Sequence, residues 1–187
     1  MLLKEEGWRV NLKRVHRLWK QEGLQIRKKQ SKRKRLGDGR NACHRHRPEH
    51  KDHVWSYDFI SDRTEKGGRL RMLCIVDEFT RECLTIEVAR KFKGKDVVAV
   101  LRELFAIRGR PRYIRSDNGP EFVAKTVRCW LEQSGVGPLY IEPGSPWENG
   151  YIESFNGKLR DECLDGELFL SLAEARYIVE RWRLDYN

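Results

Sequence analysis

Val54-Trp55-Ser56-Tyr57-Asp58-Phe59-Ile60 is the stretch on which the reading of this chain turns. Its β-branched and aromatic residues predict a strand. Asp is depleted inside strands because it prefers turns and caps. Asp58, set between Tyr57 and Phe59, therefore needs a reason. A carboxylate at such a position faces burial unless it meets a cation. Taken alone, an Asp paired with a basic side chain or facing solvent on an edge strand is the simpler reading.

Outward from this run the pattern is that of an α/β domain. Strands are expected at 54–61, 70–77, 82–89, 112–116 and 138–142, and helices at 95–108, 121–134, 149–163 and 171–185. Gly67-Gly68 suits a hairpin turn between the first two strands, and Asp77-Glu78-Phe79-Thr80-Arg81 the turn between the second and third. Pattern alone supports a mixed sheet flanked by helices.

Two later acids stand out. Asp117 ends Arg112-Tyr113-Ile114-Arg115-Ser116-Asp117 and precedes Asn118-Gly119. The C-terminal end of a strand is a usual place for functional groups in α/β folds, while Asp-Asn-Gly is also plain turn chemistry. Gly119 and Pro120 fit the start of the next helix. Glu153 follows after 35 intervening residues, in Tyr151-Ile152-Glu153-Ser154-Phe155-Asn156. At helical spacing Glu153, Asn156, Gly157 and Arg160 share one face, and Ile152, Phe155 and Leu159 another, apolar one. A solvated polar stripe fits this helix as well as an inward-aimed Glu153. Helix 171–185, with Leu172, Ala175, Ile178, Val179 and Trp182, reads as core packing. Asp62, Asp77 and Glu121 compete with the three acids and are assigned to the first hairpin, a turn and a helix start. Carboxylates brought together from two strands and a helix suit Mg²⁺ or Mn²⁺, and a pair of such ions can clamp both oxygens of a phosphoryl transfer.

Trp55-Ser56-Tyr57-Asp58-Phe59, Arg115-Ser116-Asp117-Asn118-Gly119-Pro120-Glu121-Phe122 and the run Asn149-Gly150-Tyr151-Ile152-Glu153-Ser154-Phe155-Asn156-Gly157-Lys158-Leu159-Arg160-Asp161-Glu162 resemble the DDE transposases and retroviral integrases, most closely the IS-three family of bacterial insertion-sequence transposases. The resemblance covers roughly residues 50–187. It implies an RNase H-like five-stranded mixed sheet, with Asp58, Asp117 and Glu153 as a catalytic triad that binds two Mg²⁺ or Mn²⁺ ions. It implies DNA cleavage and strand transfer, DNA ends and target as partners, and a homo-oligomer on DNA. Arg160 matches a basic position expected to contact DNA; Lys158 is a further DNA contact by the same analogy, against the reading of a solvent-facing charge. Asn118 and Asn156 would orient a metal ligand or a phosphate. A non-catalytic DNA-binding regulator and a nuclease that only hydrolyses are the rival readings.

The N-terminal third differs in kind. Residues 1–53 hold 17 Lys/Arg against 6 Asp/Glu, whereas 54–187 hold 21 against 22. Such a basic segment points to a polyanion, most commonly nucleic acid. Residues 11–22 predict an amphipathic helix with Asn11 as N-cap, Gly23 as stop and Leu12, Val15, Leu18 and Trp19 on its apolar side. Residues 1–26 then form part of a helix-turn-helix-like segment, 27–51 a flexible basic linker and 52–187 the catalytic core. Within the linker Lys32, Arg33, Lys34 and Arg35 are expected to touch DNA phosphates. Cys43, His44, His46 and His50 fit no established zinc spacing. By the family's pattern the chain is expected to be truncated at both ends, with the product of an upstream reading frame as a further partner. The five cysteines are odd in number and widely spaced, as in a reduced cytosolic protein. No signal core or membrane-spanning run is present, so a cytoplasmic, nucleoid-associated protein is expected.

Overall fold

The computed structural model describes residues 7, 11–22, 24, 47–141 and 149–187. The chain divides into two compact units, Met1–Ala42 and Cys43–Asn187. The linker residues Lys32, Arg33, Lys34 and Arg35, and Cys43, His44 and His46, lie outside the described residues. In the first unit Leu12–Gln21 form helix α1, and the Asn11 side chain accepts from the Lys13 amide over 2.9 Å. That is the expected cap. The expected apolar stripe finds no cover: no residue of α1 is buried among the described residues, and Leu12 is 85% exposed.

The second unit is built on five strands: β1 (Val54–Arg63), β2 (Arg69–Asp77), β3 (Cys83–Ala89), β4 (Tyr113–Ser116) and β5 (Gly137–Tyr140). Their order is β3-β2-β1-β4-β5. The first three form an antiparallel meander; β4 joins β1, and β5 joins β4, in parallel. Parallel pairing requires crossovers, supplied by the helices α2 (Gly94–Arg108) and α3 (Lys125–Gln133). Helices α4 (Gly150–Glu162) and α5 (Leu172–Tyr186) follow.

Strand alternation sorts β1 and β2 between two cores. Trp55, Tyr57, Leu73 and Ile75 pack with Val97, Leu101, Val127 and Leu131 of α2 and α3. Ile60, Met72, Cys74 and Val76 pack with Ile152, Phe155 and Leu159 of α4 and with Ala175 and Val179 of α5. Burial on both faces explains why β2 reads as a nearly continuous apolar run. Phe155 is buried against Trp182 and Tyr186, at centroid distances of 5.7 and 5.1 Å; truncating such an anchor to Ala costs about 3–5 kcal/mol. Polar arms of α5 and the residue after it occupy groups of the edge strand β3. Arg176 and Arg183 donate to the Val88 and Cys83 carbonyls, and Asn187 exchanges two hydrogen bonds with the Cys83 backbone. An edge covered in this way is less open to stray pairing.

Both turns arise as their residues predict. Gly67 has φ 77°, where glycine is at home, and Asp77 accepts from the Phe79 and Thr80 amides. One helix start is corrected: α3 begins at Lys125, not 121. Phe122 is buried and stacks on Phe59 at 4.9 Å, and Glu121 is held by Arg71. These long-range anchors keep residues 119–123 in a turn. Cys74, Cys83 and Cys163 are free, buried thiols whose pKa values burial raises, so they serve as small apolar groups. No helix of the described residues is long and apolar enough to cross a membrane.

Candidate active site at the β1–β4 seam

The parallel ladder between β1 and β4 pairs Val54 with Tyr113, Trp55 with Ile114 and Ser56 with Arg115. Continued at the same offset, it sets Tyr57 beside Ser116 and Asp58 beside Asp117. The Tyr57 and Ser116 side chains interact, in keeping with the first step. Alternation then places Ser56, Asp58, Arg115 and Asp117 on one face of the sheet, toward α4. They form two rows: Ser56 and Arg115 behind, the two aspartates in front.

The rear row is closed by a buried charge pair. Arg115 Nε lies 2.9 Å from Glu78 Oε1, with both side chains almost fully buried. Ser56 Oγ donates to the same carboxylate. Three strands are thereby pinned together one step behind the acids, and the charges compensate each other, as burial requires.

The front row is less evenly compensated. Asp58 Oδ1 accepts from the Phe59 amide at 2.7 Å and Oδ2 from Asn156 Nδ2 at 2.9 Å. Burial nevertheless pushes its carboxyl up to about 6, and the charges of Asp117 and Glu153 add to the rise. Asp117 Oδ1 accepts from the Gly119 amide at 2.8 Å. A Cβ at Gly119 would stand 2.9 Å from that oxygen, so the turn needs a glycine to approach the carboxylate. Glu153 lies exposed in the first turn of α4, while Ile152, Phe155 and Leu159 face inward, as the helical spacing predicts.

The three acids are therefore neighbours in charge, yet among the described residues no three His, Cys, Asp or Glu side chains are gathered tightly enough to hold a metal ion. Uncompensated carboxylates repel one another, and three of the four Asp58 and Asp117 carboxylate oxygens are engaged by amides. The chemistry of the set still fits a divalent cation. It is all oxygen, the Asp58 carboxyl is raised by burial and further by the charges of Asp117 and Glu153, and the buried Oδ1 of Asn156 lacks a hydrogen-bond partner.

The remaining expected residues are distributed as follows. Arg160 Nη2 donates to the Ser61 carbonyl at 3.3 Å, and its guanidinium stays 45% exposed, 3.9 Å from Asp165. Lys158 leans away, over the Tyr186 ring at 5.4 Å. Asn118 donates to the Ile141 carbonyl and Asn156 to Asp58. Asp62 lies near the end of β1, Asp77 ends β2 and accepts from the amides of the turn after it, and Glu121 lies in the turn before α3. Ser56, Glu78 and Arg115 were given no role by sequence reasoning, and Gly119 only that of a helix start. The signal available for them was a charge inside the run of β4, an acid in the turn after β2 and a glycine two residues past an Asp.

Comparison with known proteins identifies the family and the fold. A family described as Integrase core domain matches residues 48–146, and a second of the same description matches 134–187. The 39.2 kDa protein of insertion element IS476 from Xanthomonas euvesicatoria is 40% identical over 186 residues, spanning all of this chain and 53% of that protein. Transposase InsF of insertion sequence IS3A from Escherichia coli is 24% identical over 136 residues, 71% of this chain and 47% of that protein. The chain thus spans about half the length of these relatives. Among solved structures, the HTLV-2 integrase catalytic core in complex with magnesium superposes with a TM-score of 0.56 at 19% identity, over 71% of this chain and 85% of that one. That likeness establishes the RNase H-like fold.

Proposed function

Because the chain belongs to the integrase core domain family, and within it to the IS-three insertion-sequence transposases, we propose that Asp58, Asp117 and Glu153 form a divalent-metal site for DNA cleavage and strand transfer. What supports this reading is the β1–β4 ladder, which ends just short of Asp58 and of Asp117, the residue after β4, together with the charges of Asp117 and Glu153 felt at Asp58. Mg²⁺ or Mn²⁺, as a pair, would supply charge stabilisation to the attacking and departing oxygens of a phosphodiester.

The chain's own groups prepare that site. Asn156 and the Phe59 amide fix the Asp58 carboxylate, and the Gly119 amide fixes that of Asp117. The Glu78–Arg115 pair keeps β4 from sliding along β1. Arg160, on the same helix as Glu153 and exposed, can swing from the Ser61 carbonyl to a phosphate, for which its planar fork is suited. Tyr57 is buried, and burial shifts its pKa upward, which makes it a poor nucleophile. The reaction needs no covalent protein–DNA intermediate. DNA ends and target are the proposed partners, with a homo-oligomer assembled on them in the cytoplasm.

The test is a strand-transfer assay with precut, labelled duplex ends and Mn²⁺ or Mg²⁺, comparing wild type with Asp117→Asn. Joining by wild type alone supports the proposal. Cutting without joining would mark a nuclease, and binding without either would mark a regulator of transposition.

A further inference from the structure

The end of the sheet beyond Asp58 carries positive charge that the carboxylate site does not use. Strand β1 runs on from Asp58 to Arg63, and β2 returns from Arg69. The register sets Arg63 directly opposite Arg69, and Arg71 opposite Ser61. Like charges directly opposed weaken a strand pair, so this pairing calls for a compensating group. Arg90, just past β3, adds a third guanidinium: its Nη1 donates to the Arg69 carbonyl at 3.0 Å and lies over Gly68, where a Cβ would meet it at 2.6 Å. Phe92 is buried against Phe59 at 5.2 Å, which leaves Lys91 and Lys93 exposed on either side of it.

Nearby acids neutralise this surface only in part, Glu121 reaching Arg69 as well as Arg71. Glu121 is engaged by Arg71. Asp62, whose Oδ1 accepts from the Arg63 amide, is a single carboxylate against the two guanidiniums that line the cleft with it. Among the described residues no ion pair is recorded for Arg63, Arg69, Lys91 or Lys93. A cleft of about 720 Å³, lined by Ser61, Asp62, Arg63, Gly67 and Arg69, opens at this point. Residues 54–187 as a whole are nearly balanced in charge, with 21 Lys/Arg against 22 Asp/Glu, so the concentration is local.

We propose that Arg63, Arg69 and Arg90, flanked by Lys91 and Lys93, form a docking surface for the phosphate backbone of the duplex DNA that flanks the reacting bond. The proposal rests on the reading of the carboxylate site as a strand-transfer centre. Continuity with that site favours DNA over an acidic protein: the strand that carries Asp58 leads directly into Arg63, and Arg160 sits between them on the Ser61 carbonyl. At about 3.3 Å per residue, Arg63 lies about 17 Å along β1 from Asp58, the rise of about five base pairs. The cations lie around the end of the sheet from the aspartates. They would hold the flank and leave the reacting phosphate to the carboxylates and Arg160.

The test uses the full chain and the double variant Arg63→Gln/Arg69→Gln. Affinity is measured for a labelled duplex of about 30 base pairs and for a stub of about 5, across a salt titration. Loss of two phosphate contacts should flatten the slope of log K against log salt by about 1.8 and weaken the long duplex roughly tenfold near physiological salt, with the stub unaffected. Thermal stability should hold or rise, because an opposed like-charge pair is removed. A surface that merely supports the fold would lose stability and affinity together, which would overturn the proposal. Unchanged affinity and slope would also overturn it, as would unchanged DNA binding with lost affinity for polyglutamate. Strand joining with Asp117→Asn as control separates the two claims. If wild type joins DNA while the double variant binds normally, only the surface is rejected; if wild type neither joins nor binds duplex DNA, the site reading fails as well.

Discussion

Asn156 Nδ2 donates to Asp58 Oδ2 over 2.9 Å, tying α4 to β1 beside the aspartate pair. This bond fixes one oxygen of Asp58 and favours its charged form. Asn156→Leu should therefore weaken divalent-ion affinity by about 10- to 100-fold, the usual effect of removing a group that orients a ligand. The midpoint of Mn²⁺ dependence in strand joining, together with calorimetric Mn²⁺ titration, measures it. An unchanged midpoint would make Asn156 a packing residue only.

Asp58 should give the metal-free protein a particular pH dependence. Its folded carboxyl titrates near 6, against an ordinary value of 3.8. Between those values the folded state holds a proton that the unfolded state has released, so stability falls as pH rises from about 4 to 6 and then levels. Asp58→Asn should abolish that fall and stabilise the metal-free protein by about 1–3 kcal/mol above pH 6, with little effect at pH 4. Melting curves at the two pH values test the sign.

Asp117→Asn should keep the fold, because an amide oxygen can still accept from the Gly119 amide. Joining should drop by more than about 100-fold, beyond what loss of an outer partner causes. Gly119→Ala should do comparable harm by another route, since its Cβ would crowd the Asp117 carboxylate. Normal joining by Gly119→Ala would show that the turn can relax without cost to the site.

Arg115→Met would strand the Glu78 charge in the interior, at a cost of about 3–5 kcal/mol. Adding Glu78→Gln should return part of that stability. Denaturant unfolding of the two single variants and the double variant gives the coupling; purely additive effects would mean that the pair does not act as a unit.

Arg160→Ala should change stability by about 0.5 kcal/mol or less, as expected of a largely exposed side chain, yet reduce strand joining at saturating Mn²⁺. Equal joining at several DNA concentrations would remove Arg160 from the DNA contacts.

The five strands were legible because their apolar runs are bounded by strong turn residues, Gly67-Gly68 and Asp77–Arg81 among them. The inward face of α4 was legible from Ile152, Phe155 and Leu159 at helical spacing. The start of α3 was not, because Phe59 and Arg71, both distant in sequence, hold Phe122 and Glu121 out of the helix. The apolar side of α1 looked like a packing face but has no buried residue among those described. In the site, Asp58, Asp117 and Glu153 could be chosen from the motifs that the chain shares with its family. The Ser56–Glu78–Arg115 cluster could not, since it exists only once β1, β2 and β4 are side by side.

The parallel seam of β1 and β4 also makes the site sensitive to reading-length errors in the gene. Because β4 has only four residues, Tyr113–Ser116, a one-codon deletion within it would carry Asp117 to the opposite side of the sheet, as a single-residue slip inverts every side chain. Loss of one codon at this point is therefore a short mutational route by which a copy could keep much of its core and lose its chemistry.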